Sequence, residues 1–264
     1  MAVLHSAALT TTGEYFTVTS AADPDVYNAN GFVEQSGRVF FGRAPDGASC
    51  LVTTVAEGDP KDAVGAYRSE IAAPELTHNV PYLILWESFL PVGFPFDAVS
   101  DFNGDEGTYC LMQFHDSPDI GNPIVNLSNL VMFCNNAGKI IAKVPTLASF
   151  ADKTTTSYYD TYVGPNIIFG KWVQCAALVN FSKTSGFIEL YYNHEPVVKV
   201  WRQRTDYDNT AAPYLRIGVY DFHHLEGFGR MTQYLRNVVV RDGADGYFAA
   251  TGKDKTTQQP KQIL

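Results

Sequence analysis

Three short segments of this chain set an unusual group of polar side chains at every second position. In Tyr214-Leu215-Arg216-Ile217-Gly218-Val219-Tyr220, a strand sends successive side chains to opposite faces. Leu215, Ile217 and Val219 then turn to a core, and Tyr214, Arg216, Gly218 and Tyr220 turn away from it. The same rule applied to Tyr109 to His115 puts Cys110, Met112 and Phe114 on the core side, with Gln113 and His115 on the opposite face. In Tyr67-Arg68-Ser69-Glu70-Ile71 it puts Arg68 and Glu70 together. An antiparallel sheet commonly keeps one face in water, which is the plain reading of any one such segment. Lys, Glu and Thr are the usual furniture of a wet face, however, whereas phenol with imidazole is equipment for proton transfer. A cation, two phenols and a glycine that leaves room beside them make a surface able to hold a ligand.

The elements that must position these residues read as strands. Candidates are Tyr15 to Thr19, Phe32 to Glu34, Arg38 to Phe41, Cys50 to Val55, Tyr82 to Leu90, Leu127 to Cys134, Lys139 to Val144, Trp172 to Phe181, Phe187 to Tyr192, Val197 to Trp201 and Met231 to Val240. Turn chemistry separates them, as at Pro45-Asp46-Gly47 and Asn135-Asn136-Ala137-Gly138. Residues 149–165, with Tyr158, Tyr159 and Tyr162, show no period and read as a long irregular excursion. No amphipathic helix or repeat is visible. The expectation is an all-β, antiparallel β-sandwich of the jelly-roll, concanavalin-like kind, one domain over residues 1–250 with a polar tail over 251–264. All-β sandwiches of this length are often single domains. The functional face is expected on the concave sheet.

With 19 Lys and Arg against 28 Asp and Glu, the formal net charge is −9. No basic run offers the clustered field that nucleic acid requires, and no apolar segment approaches the length that spans a bilayer. The first residues lack the basic start and apolar run of a secretory signal. The four cysteines, Cys50, Cys110, Cys134 and Cys175, have no Cys-x-x-Cys spacing, and buried free thiols are expected of them. No metal site is expected at His223 and His224, which lack a third ligand at suitable spacing. Asp101, Asn103 and Asp105 offer oxygen ligands to calcium, but no distal bidentate Glu follows. A solvated turn is the expectation there, with structural calcium the alternative; no other cofactor is expected. His194 reads as a solvent-facing turn residue.

The motifs Arg68-Ser-Glu-Ile71, Gln113-Phe-His115 and Tyr214-Leu-Arg-Ile-Gly-Val-Tyr220 resemble, in order, the three motifs of the jelly-roll polysaccharide lyases. The segments between them are most similar to the heparin lyase I and glucuronan lyase type: Leu85-Trp86-Glu87-Ser88-Phe89-Leu90-Pro91, Gly170-Lys171-Trp172 and the hairpin Gly186 to Asn193. The resemblance spans about Arg68 to about Arg241. It implies β-elimination on a uronic-acid polysaccharide of the glucuronan, alginate or capsule type, with an anionic polysaccharide as the partner. Arg68 and Gln113 are implied to neutralise the uronate carboxylate, and His115 with Tyr220 to transfer protons, His115 as base or carboxylate-orienting donor and Tyr220 as acid, base or both. Glu70 is implied to orient Arg68. Arg216, Tyr214, Lys143 and Tyr191 are expected to bind substrate. Arg216 stands where alginate lyases usually carry Lys, and Asp221 replaces a frequent polar or basic residue. A net-negative chain acting on an anionic polymer requires cations such as Arg68, Arg216, Lys143 and Lys171 to gather in one cleft.

Three other functions stay open at this point. A carbohydrate-binding module keeps Tyr and Arg but has no need for Gln and His beside a Tyr. A hydrolase of the same architecture needs two carboxylates at short range, and the Glu-x-Asp-x-x-Glu arrangement is absent. A structural virion protein that has lost activity is the third. The absence of a signal fits an extracellular enzyme whose sequence starts after its signal, or a phage component released by lysis.

Overall fold

Runs of apolar and β-branched residues at period two, closed by Gly, Asn and Pro turns, produce fourteen strands in the computed structural model, which describes residues 14–17, 39–59, 67–95, 107–116, 128–135, 138–148, 159–207, 209–221 and 229–242. They are β1 (Glu14–Thr17), β2 (Val39–Arg43), β3 (Ser49–Ala56), β4 (Tyr67–Glu75), β5 (Tyr82–Phe89), β6 (Gly107–His115), β7 (Ser128–Asn135), β8 (Lys139–Pro145), β9 (Tyr159–Asn166), β10 (Trp172–Asn180), β11 (Gly186–Tyr192), β12 (Glu195–Gln203), β13 (Tyr214–Asp221) and β14 (Arg230–Asp242). An eight-stranded sheet runs β12-β11-β10-β5-β14-β3-β2, with β1 added on β14, and a six-stranded sheet runs β4-β13-β6-β7-β8-β9. The strand pairs within both sheets are antiparallel. This is the jelly-roll sandwich.

The inner faces of the two sheets make one core. Ile71 and Ala73 on β4, Leu215, Ile217 and Val219 on β13, and Phe114 on β6 meet Ile84 and Trp86 on β5, Val173, Cys175 and Ala177 on β10, and Leu235 and Val238 on β14. Each large apolar side chain so buried contributes about 1.5–3 kcal/mol. The core-facing rows on β13 and β4 therefore dictate which residues β13 and β4 turn outward.

Two expectations are corrected here. The C-terminal part of the stretch read as an irregular excursion is the edge strand β9, in which Tyr162 packs on the core while Val163 is 66% exposed. Its Asp, Thr, Gly and Pro residues suit an edge with a free side and hide the period. Secondly, Cys110 does not face the core. The register of β6 against β7 slips between Cys110 and Met112, and that of β13 against β6 between Ile217 and Tyr220. Leu111 and Met112 both enter the core, and Cys110 turns outward into a cluster with Val131, Phe133, Ile141 and Tyr220. A β-bulge of this kind breaks the strict alternation on which the sequence reading rested. All four cysteines are unbridged and buried. Phe32 to Glu34, the acidic loop at 101–105, Tyr158, His223, His224 and the tail 251–264 lie outside the described residues.

Candidate active site

The outward face of the six-stranded sheet carries the polar residues in rows that cross the strands. Register sets Arg216 beside Gln113, Gln113 beside Val131, Val131 beside Lys143 and Lys143 beside Thr161. A second row has Arg68, Tyr220, Cys110, Phe133 and Ile141, and a third has Tyr214, His115 and Ser128. An ordinary wet face would be exposed. Here Gln113 is 1% exposed, Glu70 2%, Arg216 and Tyr220 6%, Lys143 7% and His115 8%.

Glu70 is the hub. Its Oε1 and Oε2 accept from Gln113 Nε2 at 3.0 and 3.3 Å, and its Oε2 lies 3.4 Å from Arg68 Nε and 4.0 Å from Arg216 Nη1. Gln113 is two strands away, so the Glu70 side chain must cross β13 at the level of its register partner Gly218. Gly218 has φ +146°, and a Cβ there would fall 2.2 Å from the Ser69 carbonyl oxygen and 2.7 Å from the Glu70 Cα. The glycine is thus demanded by the approach of the β4 backbone, as well as leaving the path above it open.

Gln113 is oriented from both ends. Its Oε1 accepts from the Ser128 hydroxyl at 2.9 Å while its Nε2 faces the carboxylate, so only one placement of the amide satisfies both neighbours. One face of the amide nitrogen remains able to donate a second hydrogen. Arg216 Nη2 donates to the Tyr214 hydroxyl at 2.7 Å, and the Arg68 guanidinium lies 3.9 Å from the centre of the Tyr220 ring. Among the described residues, two guanidiniums with the Glu70 carboxylate between them, and Lys143 on β8, share this buried face.

His115 ends β6. Its Nδ1 lies 2.8 Å from the Asp116 carbonyl oxygen, which can only accept, so Nδ1 carries the hydrogen and Nε2 keeps the lone pair. Burial, with the charges of Arg216 and Arg68 adding to it, depresses its pKa to about 3. The imidazole is neutral at ordinary pH. Its ring sits 5.6 Å from that of Tyr214.

The structure brings Arg68, Glu70, Gln113, Arg216, Tyr214, His115, Tyr220 and Lys143 onto one face, but three features depart from the sequence reading. Although β6 and β13 are neighbours, His115 pairs with Tyr214 and Tyr220 with Cys110, so the two expected proton-transfer groups stand on either side of the Arg216 and Gln113 row. Both are also buried, although a strand face turned away from the core is commonly wet. Tyr191 is elsewhere altogether. It lies on β11 of the other sheet, on the far side of the core, with its hydroxyl on the Glu189 carboxylate beside Trp201 and Leu83. Its place in a hairpin motif carried no information on which sheet receives that hairpin. Lys171 precedes β10 of that same sheet and is exposed. Ser128 and Cys110 were missed: the first is an unremarkable serine at a strand start, and the second reached this face only through the bulge.

The profile of the family described as Polysaccharide lyase matches residues 32–238. Among solved structures, an endo-β-1,4-glucuronan lyase from the fungus Trichoderma reesei superimposes with a TM-score of 0.58 at 13% identity, over 84% of this chain and 95% of that one. Alginate lyase A1-II′, a member of polysaccharide lyase family 7, gives 0.53 at 13% identity over 80% and 85%. The alginate lyase vAL-1 from Chlorella virus gives 0.52 at 11% identity over 78% and 89%. At these identities the likeness is one of fold. A search of curated protein sequences gives no match.

Proposed function

Because the chain belongs to the polysaccharide lyase family, we propose that it cleaves a uronic-acid polymer by β-elimination on the outward face of the six-stranded sheet, with a glucuronan-type chain as its substrate. The observation that carries this reading is the gathering of Arg68, Arg216, Gln113, His115 and Tyr220 on one buried face around Glu70. Guanidinium and amide N–H groups are strong donors to a carboxylate, and a uronate offers that carboxylate. The fungal glucuronan lyase's likeness in fold supports the choice of polymer.

In the proposed reaction the uronate carboxylate takes hydrogen bonds from Arg216 and the second N–H of Gln113, with Arg68 nearby. Neutralising that carboxylate makes the hydrogen on C5 acidic enough to remove, because charge passing into the carboxyl group as the C–H bond breaks is met by donors already in place. His115 Nε2 takes the C5 proton. The electrons of that bond form C4=C5, the C4–O bond breaks, and Tyr220 supplies a proton to the departing oxygen. His115 and Tyr220 flank the Arg216 and Gln113 row, so a sugar held on that row has one group at each end. A bound carboxylate offsets the part of the His115 depression that comes from the two guanidiniums, so substrate itself raises the basicity of the imidazole; the part due to burial remains. Tyr214 supports both Arg216 and His115. Glu70 orients Arg68, Arg216 and Gln113 and takes no proton.

Incubating the protein with glucuronan, alginate, heparin-like chains and bacterial capsule polymers, and following the near-ultraviolet absorbance of unsaturated ends, tests the reading. Absorbance growing fastest with glucuronan is the expected result. Binding to a polymer without any new absorbance would instead identify a carbohydrate-binding protein.

A further inference from the structure

At the Tyr214 and His115 end of the site lies a group of buried polar residues that none of the three motifs contains. Asp116 is 1% exposed, and Asn129, Asp206 and Asn209 are 0% exposed. Burying such groups is unfavourable unless they are hydrogen-bonded, and these are joined across distant parts of the chain. Asp206 Oδ1 accepts from the Tyr207 backbone N–H at 2.8 Å and from Asn129 Nδ2 at 3.1 Å, and its other oxygen meets His78. Asn129 Nδ2 also donates to the Thr205 carbonyl at 3.0 Å, and the Thr205 hydroxyl accepts from the Ser182 N–H and donates to the Asn180 carbonyl. The segment that feeds β13 is therefore tied to β7, to the β4–β5 connection and to the end of β10. Further along the same segment, Asn209 donates from Nδ2 to the carboxylate of Asp116, 93 residues away in sequence.

That last bond matters because of what Asp116 does with its backbone. Strand β6 ends at His115, and the carbonyl of the next residue is the acceptor that fixes the hydrogen of His115 on Nδ1. We propose that Asp116 and Asn209 are positioning residues for His115: Asn209 holds the Asp116 side chain so that the Asp116 carbonyl keeps the imidazole in the tautomer whose Nε2 lone pair faces the substrate. Neither residue touches the sugar. The inference rests on the proposed role of His115 as the base, because a carbonyl acceptor at Nδ1 is useful to catalysis only if the other nitrogen must be bare.

The test uses the full chain with 15N-labelled histidine, reading the His115 tautomer from long-range 1H–15N spectra near neutral pH, together with steady-state cleavage of glucuronan. Wild type is expected to show the hydrogen on Nδ1. In Asn209→Ala and Asp116→Ala the two tautomers should both appear, kcat should fall by roughly 10²-fold with KM little changed, and the double variant should be no worse than either single one, since both break the same bond. Asp116→Asn keeps the acceptor and should keep both tautomer and turnover. If Asn209→Ala does not fold, Asn209→Leu keeps a similar volume without the N–H and gives the same readout. A wild-type hydrogen on Nε2, or folded variants with unchanged tautomer and kcat, overturns the proposal. The spectra need no turnover: a tautomer that shifts as expected in a protein that cleaves no polymer upholds the positioning and refutes the lyase reading instead.

Discussion

Replacing His115 with Asn gives a sharp test of how the site is buried. The folded protein holds the His115 pKa near 3, mainly through burial, against an ordinary value of 6.5. The unfolded chain therefore binds a proton at this residue in a pH window where the folded protein refuses it. Above the unfolded value the imidazole is neutral in both states and stability is unaffected. As pH falls from 6.5 towards 3, stability declines by about 1.4 kcal/mol per pH unit from this group alone, and the loss levels off below the folded value. Asn does not titrate, yet its amide can still donate to the Asp116 carbonyl. Urea unfolding of both proteins at about pH 7 and about pH 4.5 isolates the effect, since every other titrating group is shared. Wild type should lose on the order of 2–3 kcal/mol more than His115→Asn over that interval. Equal losses in the two proteins would mean that the imidazole is solvated and titrates normally, and the argument for a permanently neutral base would go with it.

Other outcomes follow from the same geometry. The acid limb of kcat/KM for the free enzyme should show no inflection near 6.5, since His115 is already neutral there; an apparent pKa at that value assigned to His115 by its loss in a variant would refute this. Tyr220→Phe should lower turnover by roughly 10²-fold to 10⁴-fold while the thermal midpoint barely moves, and a variant that folds and cleaves normally removes Tyr220 from the mechanism. Glu70→Ala leaves Arg68 and Arg216 without the carboxylate between them and should cost about 3–5 kcal/mol in urea unfolding; a cost below about 1 kcal/mol would place those guanidiniums in effective contact with solvent. Gly218→Ala should destabilise by more than about 3 kcal/mol, because the new Cβ would fall 2.2 Å from the Ser69 carbonyl oxygen, and an unchanged thermal midpoint contradicts the register of β4 on β13.

Period two in the chain was enough to mark most of the strands, though not β9, and the face on which most of the chemistry lies. Period two is a local property, and the apolar row Leu215, Ile217 and Val219 had to turn inward, so Tyr214, Arg216 and Tyr220 had to turn outward. The same holds for Arg68 and Glu70, which flank the core-facing rows of β4. Pattern alone could not say how far along one strand lies opposite a given point on the next. Register is a tertiary quantity, decided by bulges and by how two sheets close on each other. It moved Cys110 out of the core, set His115 against Tyr214 and put Tyr220 at the other end of the Arg216 row. Sheet membership is tertiary for the same reason: nothing local told Tyr191 that its hairpin would join the opposite sheet. Asp116 and Asn209 show the limit most plainly, since each reads as an ordinary polar loop residue, and only the fold joins them across 93 positions.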